Sequence, residues 1–236
     1  MHKPYPLVQM LKWIFLDVGS TLCDECSFNK YLFNHIFKSI EEAGLRITWD
    51  KFNDALKDVI SNRRFTGYGY TGIVRELVKN FSNDPTLLQK NIDYYRENAN
   101  KYVEMMEPVP EAVRVLSTLK RKYNLGILAN QPKNTRKKLE SLDLAKFFSF
   151  IVLSDEVRLK KPDIKVYQYA LNQANCMPQE AAMVGDRIDA DIGPAKSLGM
   201  RTVLVRRGIM LHMYPMNDFE IPDFEIRELD ELLEIF

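Results

Sequence analysis

Three cysteines in 236 residues are too few, and too unevenly placed, for a disulfide framework. Their scarcity points to a reducing compartment, and a cytoplasmic protein is expected. Cys23 and Cys26 do stand at C-x-x-C spacing, the pattern of redox pairs and of half a zinc site. The remaining Cys176 and the three histidines, His2, His35 and His212, are scattered, so packing at a helix start is the preferred reading of the pair. An excess of either charge is also missing: 33 basic residues face 32 acidic ones, a formal net charge of +1. No global field then draws the chain to nucleic acid or to an anionic membrane. No apolar run approaches the ~18–20 residues needed to span a bilayer, and residues 1–11 are too short and polar to be expected to act as a secretory signal. Neither nucleic acid nor membrane is expected as a partner.

What is present is the composition of a folded protein: 46% hydrophobic residues with ordinary glycine and proline usage. The length suits one large domain, or a core with a smaller insertion. Residues 14–16 read as a buried strand that ends in Asp17 and a Gly-Ser-Thr turn. The next 80 or so residues read as helical. Tyr31, Leu32, Ile36, Ile40 and Ala43 recur at helical spacing, and Thr48 can cap a second helix with a stripe of Phe52, Leu56, Val59 and Ile60. Ile73, Val74, Leu77, Val78 and Phe81 make a third helix, and Asp84-Pro85 opens a fourth. After Pro108 and Pro110 strands and helices alternate. Strands are predicted over 125–129, 151–153, 182–184 and 202–205, and helices over 133–142, about 164–174 and around Ala195. Short apolar runs separated by helices predict a parallel sheet with helices on both faces. The fold class is therefore α/β: a three-layer, Rossmann-like core (1–22 and 107–236) interrupted by an all-helical cap (23–106).

Ligands of an open parallel sheet bind beyond the carboxyl ends of the strands. Four polar features follow strand ends here: Asp17, Asn130, the run Lys160-Lys161-Pro162-Asp163, and Gly185-Asp186. Each alone has a bland reading as a strand terminus, a solvated charge or a turn. Together, Asp17 and Asp186, with Asp189 and Asp191 close by, make an oxygen-rich pocket suited to Mg²⁺. A lysine beside them would offset like charges and grip an anion. Carboxylates, a hard cation and a lysine are the components of phosphoryl transfer.

On these residues the chain resembles the haloacid dehalogenase-like hydrolases. Phe15-Leu16-Asp17-Val18-Gly19-Ser20-Thr21-Leu22 is similar to the first family motif, hhhDxDGTL, and Leu159-Lys160-Lys161-Pro162-Asp163 to the third. The stretch from Val184 through Gly185, Asp186 and Asp191 to Ala195 resembles the fourth, GDxxxxDIxGA, and the helical insertion resembles the family's C1 cap. The resemblance implies a Mg²⁺-dependent phosphatase of a small phosphorylated metabolite, with Asp17 forming an aspartyl-phosphate and Lys161 orienting it. It implies metal ligation by Asp17, the Gly19 carbonyl, Asp186 and Asp191, and places Gly19, Ser20, Thr21 and Asn130 around the phosphoryl group. Asp189 falls at a variable position and is expected to be a solvated acid. The oligomeric state is left open.

Two positions depart from the pattern. The family's phosphatases carry a second Asp, the general acid, where this chain has Gly19, and a Ser or Thr where it has Ala129. Loss of a positioned acid costs roughly 10²–10⁴ in rate, and of an oxyanion donor perhaps ~10²–10³. The site is thus expected to be weakened rather than dead, with acyl and aryl phosphates suffering least and Gly19→Asp improving alkyl-phosphate turnover. A catalytically weak relative that binds a phosphorylated ligand is the alternative. A 2-haloacid dehalogenase is disfavoured, because those relatives need no metal and this pocket is acidic. A phosphonatase would need a cap lysine, for which Lys30, Lys38, Lys51 and Lys57 are equally plausible surface residues. The segment from Arg63 to Tyr70, with two arginines, two glycines and two tyrosines, reads either as a loop closing over the site or, preferably, as an ordinary turn.

Overall fold

Residues 14, 15 and 16 are all apolar, and alternate side chains of a strand face opposite ways, so this run can be accommodated only with packing on both faces. A computed structural model describing residues 10–65 and 70–236 supplies both. The strand is β1 (Trp13–Leu16). A short β2 (Cys23–Asp24) leads into helices α1 (Cys26–Glu42), α2 (Trp49–Ser61), α3 (Tyr70–Lys79), α4 (Pro85–Glu97) and α5 (Ala99–Glu104), and β3 (Glu107–Pro108) leads back. The remaining elements are α6 (Ala112–Leu119), β4 (Asn124–Ala129), α7 (Thr135–Ser141), β5 (Phe150–Leu153), α8 (Ser154–Val157) and α9 (Ile164–Ala174). They continue with β6 (Ala181–Gly185), α10 (Gly193–Ser197), β7 (Arg201–Val205), β8 (Phe224–Ile226) and α11 (Leu232–Ile235). Six strands form a parallel sheet in the order β5-β4-β1-β6-β7-β8.

The pleat sorts the core. Ile14 and Leu16 join Val115, Leu116 and Leu119 of α6, Leu139 of α7 and Leu232 of α11 on one face. Phe15 points the other way, into Val166, Tyr167 and Ala170 of α9 and Ala195 of α10. The result is the three-layer architecture expected.

The helical insertion has its own core, centred on Phe28, Leu32, Ile36, Ile40, Phe52, Val74 and Leu77. Thr48 caps α2 by accepting from the Lys51 amide (3.3 Å), and Asp84 caps α4 by accepting from Thr86 (2.8 Å). Val59, Ile60 and Ile73 of the insertion pack against Ile188, Ile192, Leu204 and Met213 of the sheet domain. At roughly 1.5–3 kcal/mol for each fully buried aliphatic side chain, this seam holds the insertion over the sheet edge. The chain leaves and re-enters through β2 and β3, which pair antiparallel.

Several elements differ from the sequence reading. Helix α7 begins at Thr135, because residues 132–135 form a turn closed by the Thr135 amide on the Pro132 carbonyl (3.0 Å). The helix around Ala195 is preceded by a π-helical turn, Ile188–Ile192. The helix α6 and the fifth helix of the insertion are additional, as is the edge strand β8, where only Ile226 is buried. Among the described residues, no helix is long and apolar enough to cross a membrane.

Candidate active site

The two central strands set the geometry. Asp17 follows β1, and its amide still donates to the Val184 carbonyl of β6 (2.9 Å), so the carboxylate is aimed by the sheet itself. Asp186 follows the last residue of β6. Lys161 arrives from the loop before α9, and its ammonium donates to Asp17 Oδ1 (2.6 Å) and Asp191 Oδ1 (2.5 Å). All four side chains are buried. Asp191 reaches the cluster because the π-helical turn folds back under β6, where its Oδ2 accepts from the Arg187 amide (3.0 Å). Position 185 must be glycine for this: a Cβ there would overlap the Asp191 carboxyl group.

Burial drives the electrostatics. It raises the Asp186 carboxyl well above the usual range, with Asp17 and Asp191 adding to the effect. Asp191 is raised to about 6, again first by burial, with Lys161 opposing. Burial alone would lower Lys161, but its two carboxylate partners outweigh it and the net direction is up. Single oxygens of Asp17, Asp186 and Asp191 lie within 4.8 Å of one another. Three clustered carboxyl groups make an all-oxygen donor set that suits a hard divalent cation.

The other expected residues are arranged differently. Asn130 lines the cavity, but its side-chain oxygen accepts from the Lys161 amide and its nitrogen donates to the Lys161 carbonyl, both at 2.8 Å. With both ends of the amide engaged, it clamps the lysine loop instead of facing a phosphoryl group. Ser20 has left-handed backbone (φ 51°) and donates its hydroxyl to Glu25 Oε2 (2.9 Å). The Thr21 hydroxyl is buried without a hydrogen-bond partner among the described residues. Asp189 is not a solvated acid. It forms a bidentate pair with Arg187 (2.9 and 2.6 Å), which turns it away from the other carboxylates. Cys23 is buried and Cys26 exposed, both free, in keeping with packing. Lys30, Lys38, Lys51 and Lys57 are exposed, and none lines the cavity.

The cavity over these groups measures about 380 Å³ and is walled by Tyr70, Tyr95 and Tyr102 of the helical insertion. Of the segment singled out from Arg63 to Tyr70, residues 66–69 lie outside the described residues. Arg63 is tied to Glu220 (2.8 Å) and the Tyr214 carbonyl (2.7 Å), and Arg64 to Asp58 and Asn80, so neither arginine reaches the cavity. Tyr70 does.

A profile of the haloacid dehalogenase-like hydrolases matches residues 14–205, from the first strand of the sheet to the end of β7. The chain belongs to this family. It is 30% identical to a glyceraldehyde 3-phosphate phosphatase of Methanocaldococcus jannaschii over 96% of its own length and 97% of the relative's. The fold matches that of a HAD phosphatase from Thermococcus onnurineus, with a TM-score of 0.62 and 26% identity over 95% of this chain and 97% of that one. It also matches the HAD-hydrolase YfnB of Bacillus subtilis, with a TM-score of 0.67 and 21% identity over 96% and 98%.

In this hydrolase the space beside Gly19 is not empty. A Cβ built at position 19 would overlap the Glu25 carboxyl group, whose Cδ is 3.0 Å away, and the Tyr102 hydroxyl. Glu25 is the residue before α1. Residue-wide it is only half-buried, yet its carboxyl end is ringed by three hydroxyls: Ser20 (2.9 Å), Tyr70 (3.4 Å) and Tyr102. Burial raises this carboxyl, and the three donors only partly offset that. The sequence reading missed Glu25 because it precedes a helix instead of ending a strand. A carboxylate eight residues after Asp17 carries no marker of its own.

Proposed function

We propose that this hydrolase is a magnesium-dependent phosphatase of a small phosphorylated metabolite, with Asp17 as the nucleophile. The observation that carries the reading is the Lys161 ammonium, seated between Asp17 and Asp191 at the carboxyl ends of the central strands. The family supports hydrolysis, and the relative named for glyceraldehyde 3-phosphate supports a small phosphomonoester as substrate. A cavity of about 380 Å³ suits a molecule of that size.

Asp17, Asp186, Asp191 and the Gly19 carbonyl would hold Mg²⁺, which when bound neutralises phosphoryl charge and polarises the P–O bonds. Asp17 attacks phosphorus in line and forms an aspartyl-phosphate. Lys161 orients the Asp17 carboxylate, and its remaining donor would be available to a phosphoryl oxygen. Asn130 fixes the lysine by bracketing its peptide on both sides. The aromatic wall limits water around the leaving group.

Asp17→Asn tests the assignment. In the presence of Mg²⁺ it should reduce phosphate release from an aryl phosphate by on the order of 10⁴-fold or more, as removal of a covalent nucleophile does elsewhere. Persisting turnover in the folded variant would show that Asp17 is not the nucleophile. Ala129, buried at the end of β4 with no hydroxyl to offer, favours a second reading: a weak enzyme that mainly binds a phosphorylated ligand. Thermal stabilisation by phosphate esters, without turnover of any of them, would select it.

A further inference from the structure

The cavity contains a buried acid that the reaction as described above does not use. Glu25 approaches the site from the start of the helical insertion, and its carboxyl group fills the volume that a side chain on Gly19 would enter. Its three neighbours are neutral hydroxyls, from Ser20 of the sheet domain and from Tyr70 and Tyr102 of the insertion. Tyr102 is held in turn by Gln131 Nε2 (2.8 Å), which follows β4, so both domains fix the carboxyl group in place. Asp17, Gly19, Lys161 and Asp186 line the same cavity.

Resting on the phosphatase reading, we infer that Glu25 is the general acid and base of this hydrolase, delivered from the insertion into the space vacated at position 19. In the first step the Asp17 carboxylate forms a bond to phosphorus. The bond from phosphorus to the leaving oxygen breaks, its electron pair stays on that oxygen, and the Glu25 proton moves there. In the second step the Glu25 carboxylate takes a proton from water as the water oxygen attacks phosphorus. The Asp17–phosphorus bond breaks, its electron pair returns to Asp17, and phosphate leaves. Both side chains end as they began. The geometry also reverses the expectation for Gly19→Asp: the new side chain would collide with Glu25, so the single substitution lowers turnover instead of raising it.

The test is leaving-group release in a single turnover, measured with Mg²⁺ for an alkyl phosphate and an aryl phosphate. An aryl oxide departs without a proton, so the two substrates separate proton donation from the rest of the site. Glu25→Gln keeps the size of the side chain and should slow alkyl release by roughly 10²–10⁴-fold while changing aryl release by less than about tenfold. Gly19→Asp combined with Glu25→Ala and Tyr102→Phe, which removes both groups that a Cβ at position 19 would meet, places an acid back on the sheet side and should recover alkyl release relative to Glu25→Gln. Equal losses on both substrates, or none on either, overturn the inference and assign Glu25 a structural role. A triple variant that folds but recovers nothing counts against it as well. If wild-type release is absent, or survives Asp17→Asn, the phosphatase reading fails first and takes this inference with it.

Discussion

The cavity holds two acid clusters, and they are compensated in opposite ways. Asp17, Asp186 and Asp191 gather at the carboxyl ends of the central strands, where Asp17 and Asp191 share a buried lysine. Glu25 comes from the insertion and accepts hydrogen bonds from three hydroxyl groups. Burial raises carboxyl groups on both sides; Lys161 opposes it at Asp191, and the hydroxyl donors offset it only in part at Glu25. On the readings proposed above, the same functional group serves two tasks, metal and phosphorus chemistry on one side and proton transfer on the other.

The sharpest way to break this contrast is to remove the cation. Lys161→Met leaves the buried Asp17 and Asp191 carboxyl groups without their partner and should destabilise the protein by about 3–5 kcal/mol in urea unfolding. Added Mg²⁺ should restore part of that loss. A loss near zero would mean that the two carboxyl groups do not depend on the lysine. A smaller effect should come from pH. Burial raises Asp186, and Asp191 to about 6, so the proton-bound neutral forms are favoured relative to an exposed carboxyl. Protons therefore compete with the metal, and affinity falls as pH drops through about 6. The expected slope is about tenfold per pH unit for each proton displaced, readable by calorimetric Mg²⁺ titration. Affinity that is flat with pH would place the metal elsewhere. The mildest change is on the neutral side: Tyr102→Phe deletes one hydroxyl from Glu25 and should cost about 0.5–1.5 kcal/mol in thermal unfolding. A loss as large as that of Lys161→Met would show that the hydroxyl cluster carries buried charge after all.

The two clusters also differ in how legible they are. Asp17, Lys161 and Asp186 follow short apolar runs, and the rule that parallel sheets bind ligands at their carboxyl ends picks them out of the sequence. Asp191 follows from the same motif, although the π-helical turn that brings it under Gly185 has no such signal. The orientation of a side chain is harder to read. Asn130 stands where a phosphate ligand was expected, and in the fold both ends of its amide are taken by Lys161. Glu25 is hidden for a different reason: its partners lie 5, 45 and 77 residues away, on three separate elements. The edge strand β8 is overlooked because two of its three residues are exposed, which removes the apolar pattern that marks β1 and β6.

The overlap between position 19 and the Glu25 carboxyl also bears on how such a site can be inherited. An acid can occupy that volume from the sheet or from the insertion, and with both present the Glu25 carboxyl group would have to move aside. A lineage moving between the two arrangements by single substitutions must pass through an ancestor with two colliding acids, or one with none. If Glu25 has the role inferred for it, either intermediate is handicapped, and the two positions form a linked pair of characters instead of two independent ones.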